Sequence, residues 1–234
     1  MTTPTHTSNA SLDLERELEQ YGETERRILT ASVKVFSEKG FDGSRTDEIA
    51  KLAGINKAMI HYYFESKERL YVTLISIVFK RLSLILREFF GDLSPETIKE
   101  DLSHFIDEYI DFIRTNADFF KILKWDLARG GDQIGRVMKE IIGEHFNRSQ
   151  ALFDEAIQKG YIRPLVPRHL MLSVIAMILF YFIAHPVIRY LWEEDPLSDE
   201  NVEIRKQEVK KLLLWGILPD ETGLKTEQDN KPNI

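Results

Sequence analysis

Between residues 24 and 70 the apolar positions recur with a helical period, and glycines cut that pattern at short intervals. In TERRILTASVKVFSEKGF, Ile28, Leu29, Ala31, Val35 and Phe36 build one stripe, because side chains three and four apart share a helix face. Gly40 follows Lys39 where that helix is expected to stop, since glycine takes the left-handed conformation cheaply and a cation suits the last turn. The next stretch, SRTDEIAKLAGI, reads as a short second helix. Ser44 is the expected cap, Asp47 and Glu48 sit in the first turn, and Ile49 with Leu52 form a small buried face. Gly54 breaks the chain again, and NKAMIHYYF gives a third helix capped by Asn56, with Ile60 and Phe64 inward. Ser66-Lys67-Glu68-Arg69 opens a fourth. Two short helices joined by a glycine turn and clamped by a longer one form a helix-turn-helix, whose second helix enters the DNA major groove.

The remaining pattern is helical as well, so the expected fold is all-α. The fourth helix runs through LYVTLISIVFKRLSLILREFF to a break at Gly91-Asp92-Leu93, and Ser94-Pro95-Glu96 has the order of cap, proline and acid that restarts a helix. Phe105, Tyr109 and Phe112 recur at i, i+4, i+7; FFKILKWDLARGG is a short helix ended by two glycines. Met138, Ile142, Phe146 and Phe153 make another inward stripe, closed by Gly160. From 170 to 184 the chain is apolar all round except Ser173 and the Tyr181 hydroxyl, short of the roughly 18–20 residues of a membrane span, and His185, Pro186 and Arg189 follow. That stretch reads as a buried core helix that also contributes to a subunit interface, rather than a span. A last helix places Val202, Val209, Leu213 and Ile217 on one face.

Charge sharpens the division. The formal net charge is −7, yet residues 22–81 hold 11 Lys and Arg against 8 Asp and Glu, and the remainder 20 against 30. A locally basic module joined to an acidic one suits a DNA reader with a separate sensing region. There are no cysteines, which excludes disulfides and thiolate chemistry and suits a reducing cytoplasm. The opening MTTPTHTSN lacks the basic and apolar segments of a secretory signal. Residues 1–21 and 219–234 are expected to be flexible tails.

GFDGSRTDEIAKLAGINKAMIHYYFESKERL resembles the N-terminal domain of the TetR family of bacterial transcriptional repressors. The resemblance lies in the aromatic after the first helix's glycine, the IA..AG core of the turn, the aromatic-rich third helix and the F.SKE.L entry to the fourth; it covers 22–81. It implies a helix-turn-helix domain over 22–82, with the motif at about 45–64, and a helical ligand-binding and dimerisation domain over 83–218. Carried over position by position, it implies that Lys57 meets a guanine edge or a phosphate, that Ala58 is small because the backbone approaches DNA, and that Tyr62 and Tyr63 reach phosphate oxygens. Arg45, Thr46 and Lys67 match family phosphate-contact positions; capping is an alternative role for the last two. His61 departs from the tyrosine usual at its place. Further on, the resemblance implies an effector pocket, for which Phe105, Tyr109, Phe112, Phe120, Phe146, Phe153 and Met177 are candidates; such a lining favours an apolar or aromatic small molecule. It also implies a homodimer in which the last two helices pair with their copies through Val202, Val209, Leu213 and Ile217.

Catalytic patterns are missing from the sequence. No HExxH, GxGxxG, P-loop or GxSxG occurs, and Asp101 with His104 has the spacing of one half of a di-iron site without the second half. Neither enzyme activity, nor a metal, nor a cofactor is expected. The expected partners are double-stranded operator DNA, a small-molecule effector and a second copy of the chain, with no membrane. Two other readings stay open: a DNA-binding regulator without an effector, and a helical protein- or membrane-interaction module that does not read DNA.

Overall fold

The computed structural model describes residues 17–91 and 97–219, with the side chains of 88–91 left aside. The expectations for residues 1–16, for the break and restart at Asp92, Leu93, Ser94, Pro95 and Glu96, and for 220–234 lie outside the described residues. Among the described residues there are nine helices and no strand: α1 Glu23–Gly43, α2 Thr46–Ala53, α3 Lys57–Phe64, α4 Lys67–Gly91, α5 Ile98–Thr115, α6 Ala117–Ala128, α7 Asp132–Gln158, α8 Pro167–Trp192 and α9 Asp199–Ile217. The fold is all-α, as the periodicity predicts. The chain divides into two compact units, one of residues 1–87 with 108–144 and the other of 88–107 with 145–234.

In the first unit, Ile28, Leu29, Val35 and Phe36 of α1 are buried as the stripe requires. The α1 axis breaks at Gly40, whose φ of 67° and ψ of −178° leave the helical region before a last turn to Gly43. Two sequence expectations are corrected here. Ser44 does not cap α2: its hydroxyl donates to the Phe41 carbonyl at 2.6 Å, and Arg45 occupies the cap position. Leu52 is 49% exposed, because the buried face of this eight-residue helix is Ile49, Ala50 and Ala53. The α2–α3 turn rests on Gly54 in the left-handed conformation (φ 63°), and Asn56 caps α3 by accepting from Ala58 N at 2.9 Å. Ile60 and Phe64 are buried, and Leu70, Leu74 and Ile75 of α4 complete that core.

Helix α6 packs on α1. The Trp125 indole N–H donates to the Ser37 carbonyl at 3.2 Å, and Arg129 pairs with Asp42 at 2.9 Å. Buried Asp126 accepts from Ile134 N at 3.0 Å and so ties the end of α6 to the start of α7. Burial pushes the neighbouring Tyr71 phenol well above its ordinary pKa, and the Asp126 charge adds to this. Of the stripe expected on α7, Ile142 and Phe153 are buried while Met138 and Phe146 are exposed; Ile134 and Val137 take the inward positions instead.

In the second unit α8 is longer than the apolar run implied. It continues through Pro186 to Trp192 over 26 residues, and it is long and apolar enough to cross a membrane by length and composition. A proline inside a helix deprives the carbonyl four residues back of its donor. Here His185 Nδ1 lies 2.7 Å from that carbonyl, on Phe182, and replaces the missing N–H. Only 22% of the most apolar stretch of α8 is buried within the protomer, less than a helix enclosed by its own chain would show. Val202, Val209, Leu213 and Ile217 of α9 are buried within the protomer, which removes them from direct contact with a second subunit. Packing against their own chain is the reason: α9 lies along α8, with Arg205 Nη2 donating to Met177 O at 2.5 Å and its guanidinium over the Tyr181 ring.

A pair of glycine substitutions tests this account of unit one. At Gly40 an added Cβ meets the Trp125 ring at 3.1 Å on a backbone with positive φ, so Gly40→Ala is expected to cost ~1–2 kcal/mol. At Gly135, inside α7, a Cβ meets nothing within 4 Å, and Gly135→Ala is expected to gain ~0.5–1 kcal/mol. Thermal unfolding followed by circular dichroism should show the two midpoints moving in opposite directions.

Candidate nucleic-acid interface

The short helix α3 is anchored by Ile60 and Phe64, and the helical period leaves its remaining residues outward. Lys57, Ala58, His61, Tyr62 and Tyr63 are all exposed, so five of the eight candidate residues share one helix surface. Tyr62 is 81% exposed and Tyr63 36%, and their rings meet edge to face at 5.0 Å. Exposed phenols resting on each other cost little side-chain freedom to hold in place, and their hydroxyls are left outward. Lys57 extends to Asp47 of α2, Nζ to carboxylate oxygen 3.0 Å, with both side chains largely in solvent. An exposed pair of this kind is worth only ~0–1 kcal/mol, so a phosphate can replace the carboxylate at small cost.

Arg45 is exposed at the cap of α2 and Thr46 is half-buried beside it. Lys67 is placed differently. Its ammonium donates to the carbonyls of Phe41 at 2.7 Å and Ser44 at 3.0 Å, and lies 4.3 Å from the Phe41 ring centre. This lysine fastens the α1–α2 turn to α4. Periodicity does not show such a role, because the acceptors are backbone carbonyls 23 and 26 residues away.

His61 carries a further constraint. Its Nδ1 is 3.0 Å from the Glu65 carbonyl, and a carbonyl only accepts. The neutral ring therefore keeps its proton on Nδ1 and offers Nε2 as an acceptor; only the imidazolium can donate from Nε2 to a phosphate. Glu65 itself holds a positive φ of 62° with ψ −47°, where the chain turns sharply between α3 and α4. Sequence reasoning also missed Lys39 and Glu48, which pair at 2.7 Å between α1 and α2; that hydrogen bond holds the Glu48 carboxyl below its ordinary range.

The seven aromatic and methionine candidates for an effector pocket fall in both units: Tyr109, Phe112 and Phe120 in the first, Phe105, Phe146, Phe153 and Met177 in the second. Phe112 and Phe120 are buried edge to face at 6.0 Å, and Phe119 joins Phe120 at 5.6 Å. Burial pushes the Tyr109 phenol above its ordinary pKa. Phe146 is exposed and Met177 half-buried. None of the seven lines the groove of about 750 Å³ beside Arg27 and Gly54, or the groove of about 790 Å³ beside Lys99 and Trp215. No group of three or more His, Asp or Glu side chains suited to a metal ion occurs among the described residues.

Residues 28–74 match the family model described as bacterial regulatory proteins, tetR family, and residues 81–220 match the model described as YcdC-like protein, C-terminal region. The chain is 26% identical over 195 residues to the HTH-type transcriptional regulator RutR of Escherichia coli (strain K12), covering 83% of this chain and 90% of the relative. It is 33% identical over 152 residues to the HTH-type transcriptional repressor NicS of Pseudomonas putida, covering 63% of this chain and 64% of that one. The fold is shared with the transcriptional regulator FadR of Bacillus subtilis, solved in complex with stearoyl-CoA, at a TM-score of 0.63 and 22% identity over 81% of this chain and 97% of that one. Helix-turn-helix geometry and both family models lead to one assignment: the chain belongs to the TetR family of bacterial transcriptional regulators and is not an enzyme.

Proposed function

We propose that this regulator is a ligand-responsive repressor of the cytoplasm that binds a pseudo-palindromic operator as a homodimer and leaves it when a small apolar or aromatic effector binds. The observation that carries the DNA half of this reading is the outward surface of α3, where Lys57, Ala58, His61, Tyr62 and Tyr63 stand together. A two-fold axis would set two such helices in successive major grooves. NicS is a repressor by name and FadR was solved with stearoyl-CoA, which favours repression and an apolar ligand for this chain as well. Tyr109 and Phe112 of α5 with Phe120 of α6 would supply the apolar lining, and α6 carries Phe120 and Trp125 on one helix. Arg45 and Thr46 join the α3 residues at the DNA, with Lys67 positioning the turn that presents them.

Dimerisation is supported by what α8 leaves in solvent. Leu172, Phe180, Val187, Tyr190 and Leu191 are exposed, Phe180 at 67% and Tyr190 at 85%. On α9 the outward apolar residues are Ile204, Leu212 and Trp215, in place of the four buried ones that the sequence suggested. A face of this size is unfavourable in water and is typical of subunit contacts.

Binding to the DNA immediately upstream of the chain's own coding region, titrated across salt, tests the reading directly. A shift specific over random duplex and falling steeply with salt is expected. Lys57→Ala should weaken operator binding by about ten-fold and lower the salt slope by about one; Tyr62→Ala should weaken it by about ten-fold too, with the dimer intact in both. If neither changes affinity, α3 is not the reader.

Charge placed on the α8 face gives the dimer test. Val187→Glu with Leu191→Glu should yield a folded monomer by light scattering, with operator affinity down at least ~100-fold. A double variant that stays dimeric refutes this interface, and partitioning of the wild type into lipid vesicles would favour the membrane reading of α8 instead.

A further inference from the structure

Residues 45–64 hold two carboxylates, Asp47 and Glu48, and the fold places them differently. Glu48 is turned to α1, where Lys39 takes it at 2.7 Å and holds its carboxyl below the ordinary range. Asp47 is turned to α3: its Oδ2 lies 3.0 Å from Lys57 Nζ, and its side chain is 66% exposed. Lys51, one turn further along α2, stands at the i, i+4 spacing that favours a local pair with Asp47, yet the carboxylate reaches across to Lys57. The backbone of Lys57 is fixed as the first residue of α3, beside the Asn56 cap that accepts from Ala58 N. Neither side chain has a further ion-pair or hydrogen-bond partner among the described residues. An aspartate from the first turn of α2 is thus held against the first residue of the reading helix.

A carboxylate at this place is costly to a DNA reader. In a helix-turn-helix the first residues of the second helix face the bases and the first helix crosses the backbone, so Asp47 and Lys57 both stand where phosphates arrive. The carboxylate carries the kind of charge a phosphate brings and already occupies the ammonium. A phosphate that takes Lys57 must displace it and then stand beside it. Binding to random duplex is almost wholly electrostatic, so one cation withheld and one anion added weigh heavily there. On an operator, base-edge contacts hold α3 in the groove and supply free energy that random sequence lacks, so phosphate displaces Asp47. An exposed pair costs little to open, which keeps that exchange accessible. We propose that Asp47 is a specificity-determining residue: it competes with phosphate for Lys57 and so withholds that cation from DNA of the wrong sequence. Discrimination of this kind comes from a built-in repulsive element, not from an added contact. It rests on α3 being the operator reader, as proposed above.

The test compares the full-length protein and its variants on two duplexes: the sequence that the wild type enriches most from a random duplex library, and a scrambled duplex of the same composition. Asp47→Ala is expected to bind the scrambled duplex about ten-fold more tightly and the enriched one less than about three-fold more tightly, so the specificity ratio falls. The salt dependence on the scrambled duplex should steepen, because Lys57 then meets phosphate there, while that on the enriched duplex stays as it was. In a Lys57→Ala background the same substitution should leave the specificity ratio unaltered, since no ammonium remains to be released. Both side chains are exposed, so the variants are expected to fold, which circular dichroism checks. If Asp47→Ala does not fold, Asp47→Asn, which keeps the shape and loses the charge, replaces it with the same expectations. Equal shifts on the two duplexes, or a fall in the ratio that persists without Lys57, overturn the proposal. A library from which the wild type enriches nothing overturns instead the reading of α3 as the operator reader, and this proposal with it.

Discussion

The arrangement of the DNA-reading helices depends on how the chain is held between the end of α1 and the start of α2. Gly40 breaks the helix there and leaves carbonyls without intrahelical donors, as any helix end does. Those of Ser37, Phe41 and Ser44 are satisfied from elsewhere in the unit, by Trp125 of α6 and by the Lys67 ammonium of α4. Arg129 adds a pair to Asp42 in the same turn. Helices α2 and α3 are eight residues each, too short to be stable alone. Their position is therefore set by what grips the turn before them, and by the small buried faces of Ile49, Ala50, Ile60 and Phe64 beneath them.

That dependence explains which features were legible in the sequence. Helices were, because the 3.6-residue period of Ile28 to Phe36, the cap at Asn56 and the left-handed Gly54 are local properties that a linear reading detects. The surface of α3 followed from the same period: once Ile60 and Phe64 point inward, the rest cannot. Around this turn and on α9, what the sequence did not supply was the partner of each side chain. Ser44 has the chemistry of a cap, but Lys67 and the Phe41 carbonyl define the turn it occupies. Lys67 has the chemistry of a phosphate contact, yet two carbonyls claim its ammonium. Val202, Val209, Leu213 and Ile217 form a correct stripe, but a stripe does not say whether its partner is the same chain or another, and here α8 lies alongside.

Helix α8 rests on a local partner instead. Pro186 inside it leaves the carbonyl four residues back without its usual donor. The imidazole of His185 closes the gap on the Phe182 carbonyl, and the helix gains the turns that carry Val187, Tyr190 and Leu191 into solvent. Those turns hold much of the exposed apolar surface on which the proposed dimer rests.

Magnitudes indicate how the proposed effector response can work. Helix α6 bears Phe119 and Phe120 toward the aromatic cluster and, about two turns on, Trp125 and Arg129 toward the α1–α2 turn, all within one compact unit. The grip that α6 exerts amounts to one hydrogen bond and one exposed ion pair, together with contact of the indole on Gly40, and each polar link is worth about 1 kcal/mol or less. A coupling of ~1–3 kcal/mol between two sites is the usual range for allosteric proteins. An effector that favours a shifted aromatic cluster need only weaken these few links to move the operator-bound population by one or two orders of magnitude, because each 1.4 kcal/mol is about ten-fold. A stronger clamp would hold α2 and α3 more firmly, but an effector of ordinary affinity difference could not then release them.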